Sequence, residues 1–304
     1  MEPFGPFDLV APLAKGGMAE LFVALHRESG QRVVVKRLLP ELESRPDVID
    51  LFLTEADVGR LLRHENVVQV LDAGEVSGRY YLAMEHVDGI DAETLLAWSW
   101  NNKIPLPAKV AVRVIVDAAR GLDSAHHLTS PQGTAFGLVH RDVSPDNLFI
   151  TRAGVTKVAD FGIAKLASLE GVTSTGLLKG KLTYMSPEQV KAVPLDGRAD
   201  MFALALILYE MLSGSRPFAQ QSGDTELDAL LRVQKGKVAP IRSIDEDIAK
   251  PVASVVDKAL RSTRWLRFKT CGAFADALED AAKRAGILGT REDLAAIVAE
   301  VKPA

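Results

Sequence analysis

Near residue 90 the hydrophobic pattern of this chain changes from the period of strands to the period of helices. Before that point, residues 21–25 and 31–38 are short β-branched runs joined by the turn Glu28-Ser29-Gly30. Residues 67–71 and 79–84 repeat the arrangement around Ser77-Gly78. Between the two pairs, residues 47–62 have helical spacing, with Val48, Leu51, Phe52, Glu55, Val58 and Leu62 on one side. Beyond residue 91 the helical segments are 108–128, 200–212, 225–233, 248–260 and 271–285. Within them, residues 201–212 are apolar except at Tyr209 and Glu210. That run is too short to span a bilayer and predicts a helix buried on all sides. The expected fold class is therefore α+β, with a small strand-rich lobe carrying one helix and a larger helical lobe. The centre, residues 140–188, is rich in loops and is expected to hold two short strand pairs, preceded by a surface loop at 130–133. In the tail, Thr290 as N-cap, Asp293 near N3 and apolar Leu294, Ile297 and Val298 predict a short helix. It serves either for docking or as a cap on the helical lobe.

Composition excludes several classes. The formal net charge is −4 and no half of the chain is strongly basic, which argues against a nucleic-acid partner. Cys271 is the single cysteine, so the chain can form no internal disulfide and no cysteine-based zinc site. A reducing cytoplasm is the expected compartment. The first ten residues lack the basic flank and apolar core of a signal peptide, and no membrane segment is expected.

One constellation carries chemistry. His140-Arg141-Asp142 is followed five residues later by Asn147, and thirteen residues further by Asp160-Phe161-Gly162. Upstream, Lys36 ends the strand VVVK and Glu55 lies on the helix that follows; downstream stands Ser186-Pro187-Glu188. In this order and spacing the chain resembles the Hanks-type protein kinases, and among them the bacterial serine/threonine kinases. The resemblance covers residues 7–285, divided into an N-lobe (7–84), a hinge (85–90) and a C-lobe (91–285), with 286–304 left as a helical tail.

The resemblance implies ATP and Mg²⁺ (or Mn²⁺) as cofactors and protein substrates as partners. Asp142 becomes the carboxylate that orients the attacking hydroxyl, while Asn147 and Asp160 offer oxygen ligands to the metal. Lys36 meets the α/β-phosphates and is held by Glu55. Leu13, Gly16 and Gly17 belong to the phosphate loop. Leu21 and Val34 cover the adenine from above, and Phe149 or Leu148 from below. Met84 is the gatekeeper, with Glu85, His86 and Val87 forming the hinge, and Asp91 lies where an acid meets the ribose. His140 is implied to be a packing residue. Asp200 is implied to anchor the catalytic loop through backbone N–H groups, and Glu188 to pair with Arg267.

Three departures matter. In the phosphate loop Ala14 and Ala19 replace the outer two glycines of the family pattern. Either the lid is stiffer, or the loop never needed left-handed angles there. Ser144 stands where serine/threonine kinases carry a lysine, and Lys181 stands where they carry a threonine. We read this as an exchange: Lys181 returns the positive charge near Asp142 with Ser144 as its partner, the alternative being a solvated loop lysine. Gly59 lies one turn after Glu55, where a bulky residue is expected, and its small size is expected to loosen the helix.

Thr173 and Thr175 are the expected autophosphorylation sites, with Arg141 and Lys165 as basic partners. Activating input is expected from a second copy of the chain or from a partner. The alternative to an active enzyme is an ATP-binding scaffold with little transfer. A small-molecule kinase is a third reading, disfavoured by the full segment up to Glu188.

Overall fold

The computed structural model describes residues 1–161, 182–219 and 223–301. The chain divides into two compact units. One holds Met1–His64 and Val68–Val87; the other holds Glu65–Val67, Asp88–Asp160 and the described residues from 182 onward.

The first unit is built on β1 (Glu2–Phe4), β2 (Phe7–Lys15), β3 (Ala19–His26), β4 (Arg32–Leu38), β5 (Val70–Val76) and β6 (Arg79–Glu85), with α1 (Pro46–Leu61) between β4 and β5. The strands form an antiparallel sheet in the order β1-β2-β3-β4-β6-β5. Ser77 and Gly78 both have positive φ, the handedness that a two-residue hairpin turn needs to match strand twist. Register fixes the faces. Leu21 pairs with Lys36, Val23 with Val34, and Val34 with Met84, so Leu21, Val34, Lys36 and Met84 share one face. The opposite face buries a small core of Phe4, Phe7, Leu9, Val33, Val35 and Tyr81.

Two expectations are corrected here. The strand expected over 67–71 begins at Val70; Val67 belongs to the other unit, where it bridges to Val158. Gly59 leaves no slack: a Cβ there would lie 2.5 Å from Val70 Cγ2. The missing side chain lets β5 close directly on α1, so Val70 fills the space that a bulky residue at 59 would take.

The second unit opens with β7 (Gly89–Asp91), which pairs with β8 (Leu148–Thr151), itself paired with β9 (Thr156–Val158). Among the described residues the centre thus holds one strand pair, β8–β9, rather than two. Around it stand α2 (Ala92–Asn102), α3 (Ala108–His126), α4 (Pro187–Val190), α5 (Arg198–Ser213), α6 (Glu226–Lys235), α7 (Lys250–Ala259), α8 (Cys271–Ala285) and α9 (Arg291–Glu300). Every residue of α5 from Ala199 to Met211 is buried, as its unbroken apolar run requires. Residues 65–67 are wedged into this unit. Asn66 Nδ2 donates to the Thr156 carbonyl at 2.9 Å, the Asn66 carbonyl accepts from Val158 N–H at 2.9 Å, and Gly121 on α3 leaves room for that carbonyl.

The tail helix α9 starts with the capping box expected at Thr290 and Asp293 and buries Leu294, Ile297 and Val298. Gly154, at φ +74°, lies so close to the Arg291 carbonyl that no side chain fits between them. No described helix is long and apolar enough to cross a membrane.

Candidate active site

In the strand-rich unit, Lys36 on β4 reaches Glu55 on α1 at 2.6 Å. Both side chains are largely shielded, and the second carboxylate oxygen of Glu55 is buried without a hydrogen-bond partner. A buried acceptor left short of donors carries a cost, and a binding or catalytic role is one reason for keeping it. At the β2–β3 turn, Gly16 N–H donates to the Ala19 carbonyl at 2.9 Å, and strand pairing runs up to Lys15 opposite Glu20. Ala14 and Ala19 lie in strands and neither has positive φ. Alanine therefore suits this loop, because it asks for no left-handed angle at those positions. Leu13 is exposed on β2, and Met84 is buried in β6. Glu85 Oε1 accepts from Gln69 N–H at 2.8 Å, which ties the end of β6 to the start of β5.

In the helical unit the loop around Asp142 is assembled from buried polar contacts. Asp200, at the start of α5, accepts from the backbone N–H of His140 at 2.8 Å and of Arg141 at 2.9 Å. The ring of His126 meets the same carboxylate at 2.7 Å. Burial alone would raise the Asp200 carboxyl, but His126 and the backbone donors outweigh it and hold it below the usual carboxylate range. His140 is fully buried; its Nε2 lies 2.8 Å from the Ala159 carbonyl, and its Nδ1 accepts from Asp142 N–H at 3.2 Å. Gln189 of α4 donates to the Arg141 carbonyl at 2.8 Å, and Arg141 itself sits at φ +67°.

Asn147 spends its Nδ2 on Asp142, donating to the carbonyl at 2.8 Å and to Oδ2 at 3.2 Å. That orientation leaves its amide oxygen as an acceptor. Ala159 N–H donates to the Asn147 carbonyl at 2.9 Å, which brings Asp160 beside the same loop, at φ +54°. Among the described residues no three His, Cys, Asp or Glu side chains form a metal cage. The donor set of one carboxylate and one amide oxygen fits a cation that takes most of its ligands from phosphate and water, the habit of Mg²⁺. Leu148 is fully buried whereas Phe149 is half-exposed, so of the two only Phe149 presents an accessible ring. Asp91 caps α2, its Oδ1 accepting from Thr94 N–H at 2.7 Å.

Ser144 is buried and its hydroxyl donates to Asp146, so any contact with a lysine would have to use its oxygen lone pairs. A small pocket lies beside it, lined by Asp142, Ser144, Tyr184, Met185 and Gln189. Lys181, Lys165, Thr173, Thr175 and Lys179 lie outside the described residues.

Sequence reasoning missed His126 and Gln189, which hold the loop from outside. A histidine at the end of the helix preceding His140 was the available signal for the first. For Gln189 the signal was the capping-box spacing from Ser186, with Pro187 at the first helical position; its bond to Arg141 depends on the fold.

Residues 7–278 match the family model described as the protein kinase domain. The chain belongs to the protein kinase family. The reaction of that family is ATP-dependent phosphoryl transfer to a hydroxyl group, with a divalent metal. Over 282 residues, 92% of the chain, it is 43% identical to the tyrosine-protein kinase MasK of Myxococcus xanthus. Over 280 residues, 90% of the chain, it is 36% identical to the serine/threonine-protein kinase Pkn1 of the same organism. The chain spans 43% and 38% of the length of those two proteins. Among solved structures, the PknI kinase domain of Mycobacterium tuberculosis superposes with a TM-score of 0.67 at 28% identity, covering 92% of this chain and 97% of that one.

Proposed function

We propose that this kinase domain transfers the γ-phosphate of ATP to serine or threonine hydroxyls of protein substrates. The single observation that carries the reading is the loop around Asp142: a carboxylate fixed by Asn147, beside Asp160, on a backbone clamped by buried Asp200. Transfer of a phosphoryl group asks for positioning and charge neutralisation rather than covalent help. Bound Mg-ATP supplies the electrophile and the neutralising cation.

In this reading Asp142 accepts the hydrogen bond of the acceptor hydroxyl and aims its oxygen. The amide oxygen of Asn147 and the carboxylate of Asp160 hold Mg²⁺, and the same donors suit Mn²⁺. Lys36 supplies a fixed cation to the α/β-phosphates, and Glu55 holds that cation in place. Gly16 and Gly17 offer backbone N–H groups to phosphate oxygens, and Leu13 flanks them. Leu21, Val34 and Phe149 take the adenine faces, Met84 backs the ring, the backbone of Glu85 and Val87 reads its edge, and Asp91 meets the ribose. Lys181 returns a positive charge toward Asp142, using the lone pairs of Ser144. The domain works in the cytoplasm, with input from a second copy or an activating partner.

A second reading has an observation of its own. The relative with 43% identity is named a tyrosine-protein kinase, and this chain lacks the lysine two residues after Asp142. Tyrosine is the acceptor in that case. Incubation with labelled Mg-ATP and generic protein substrates, followed by phosphoamino-acid analysis, separates the two. Label on serine and threonine supports the first reading, and label confined to tyrosine replaces it with the second. Nucleotide binding without transfer to any acceptor overturns both.

A further inference from the structure

β1 lies ahead of the segment that matches the kinase family, yet it is built into the strand-rich unit. Phe4 is buried, edge-on to Tyr81 at 5.7 Å, and the turn at Gly5 (φ +53°) packs so tightly that a Cβ would strike Val76 at 2.5 Å. A short strand is an ordinary way to end a sheet, but the side chains of this one also reach over the sheet face. What they cover is Arg37.

Arg37 follows Lys36 on β4 and therefore points to the opposite face of the sheet. It is only 9% exposed. Its guanidinium lies 5.5 Å from the Phe4 ring centroid and 4.6 Å from that of Phe22, between two aromatic partners. It donates to Glu2 on β1 at 3.1 Å and to Glu20 on β3 at 3.3 Å. Glu20 also meets Lys15 across the hairpin at 3.0 Å, and Lys15 immediately precedes Gly16 of the phosphate loop. The charges alternate in sign from the first strand to the loop: Glu2, Arg37, Glu20, Lys15.

We propose that β1 is a positioning element for the phosphate loop, acting through Arg37 and Glu20 on Lys15. This rests on reading Gly16 and Gly17 as the nucleotide cover. Beyond Lys15 and Glu20 the described bonds of the turn are two: Gly16 N–H to the Ala19 carbonyl and Leu39 N–H to the Met18 carbonyl, each at 2.9 Å. Both lie on the Ala19 side of the glycines or across them, leaving the Lys15 side to the ion pair. Glu20, shared by two cations, is the joint that fixes the base of the turn. A cation shielded between two rings holds its partners more firmly than an exposed one, because less solvent screens it. With β1 in place the loop is preorganised, and nucleotide binding costs less ordering.

The test uses the full chain, a fluorescent ATP analogue displaced by Mg-ATP, and hydrogen exchange over residues 13–21. Arg37→Met keeps the stem between the rings and removes the charge. It is expected to weaken Mg-ATP affinity by about tenfold and to speed exchange at Gly16 and Gly17. Glu2→Gln, on an exposed residue, is expected to act in the same direction by about twofold, less at high salt. If Arg37→Met fails to fold, Glu2→Gln still decides. Unchanged affinity and exchange in Glu2→Gln, with at most a lower unfolding temperature, reduces β1 to a structural edge and overturns the proposal. Affinity that shifts as expected in a chain that never transfers phosphate keeps the relay and sinks the transfer reading instead. A wild-type chain with no Mg-ATP affinity overturns both.

Discussion

The two units hold their key residues by different means. In the strand-rich unit, Lys36 pairs with Glu55, carried on a helix whose N-cap lacks a side-chain bond and whose C-terminal end is partly exposed. In the helical unit, the Asp142 loop is held by Asp200, His126, His140, Asn147 and Gln189 together, through contacts that are buried or partly buried. A partner carried on a helix with an uncapped start and an exposed end can shift, whereas a network of satisfied polar groups favours one arrangement. In the proposed reading, the residues assigned to the transfer step stand on the firmly held loop, and the cation assigned to the phosphates has its partner on the helix that can shift.

The comparison can be broken or sharpened by substitution. After that of Asp142→Asn, the largest effect is expected from Lys36→Met, which removes the cation while keeping the stem. Transfer should fall by roughly 10²–10³-fold, the scale of losing one positioned electrostatic contact, and unfolding of the helical unit should be unaffected. A steady-state assay beside thermal unfolding checks this. Next comes Arg267→Met. Its guanidinium binds buried Glu188 through two bonds, at 2.6 and 2.9 Å, and donates to the carbonyls of Arg198, Arg261 and Ser262. Stranding Glu188 should cost about 3–5 kcal/mol by denaturant unfolding.

Gly59→Leu is expected to cost about 1–3 kcal/mol through overpacking against Val70, and Gly59→Ala less. Pairing Gly59→Leu with Val70→Ala should recover most of the loss, which a double-mutant cycle would read. The smallest effect concerns pH. Because Asp200 is depressed in the folded chain, its stabilisation is complete above its unfolded value of about 4 and is lost as pH falls through the folded value. A His126→Gln chain, which lacks the main donor to Asp200, should show a flatter loss of stability with acid over that window.

Much of this was legible in the sequence. The order and spacing of Lys36, Glu55, Asp142, Asn147 and Asp160 pointed to the family, and the apolar run of α5 to a buried helix. The capping pattern at Thr290 named the tail helix. The missed parts depend on distance in space rather than along the chain. Nothing in residues 1–6 signals a strand that covers Arg37, because three residues carry no period. Gly59 reads as a weakness until Val70, eleven residues later, is found against it. The strand expected at 67–71 loses Val67 because Asn66 and Val67 pair with β9, a competition invisible to local pattern.

The most direct measurement is a single-turnover assay of phosphate transfer from Mg-ATP, run beside a nucleotide-affinity measurement, on the wild-type chain and on Asp142→Asn. The account predicts that transfer falls by about 10²–10⁴-fold, while affinity for Mg-ATP stays within about threefold. Transfer by the Asp142→Asn chain at the wild-type rate would contradict it, and so would a wild-type chain that binds Mg-ATP and moves no phosphate.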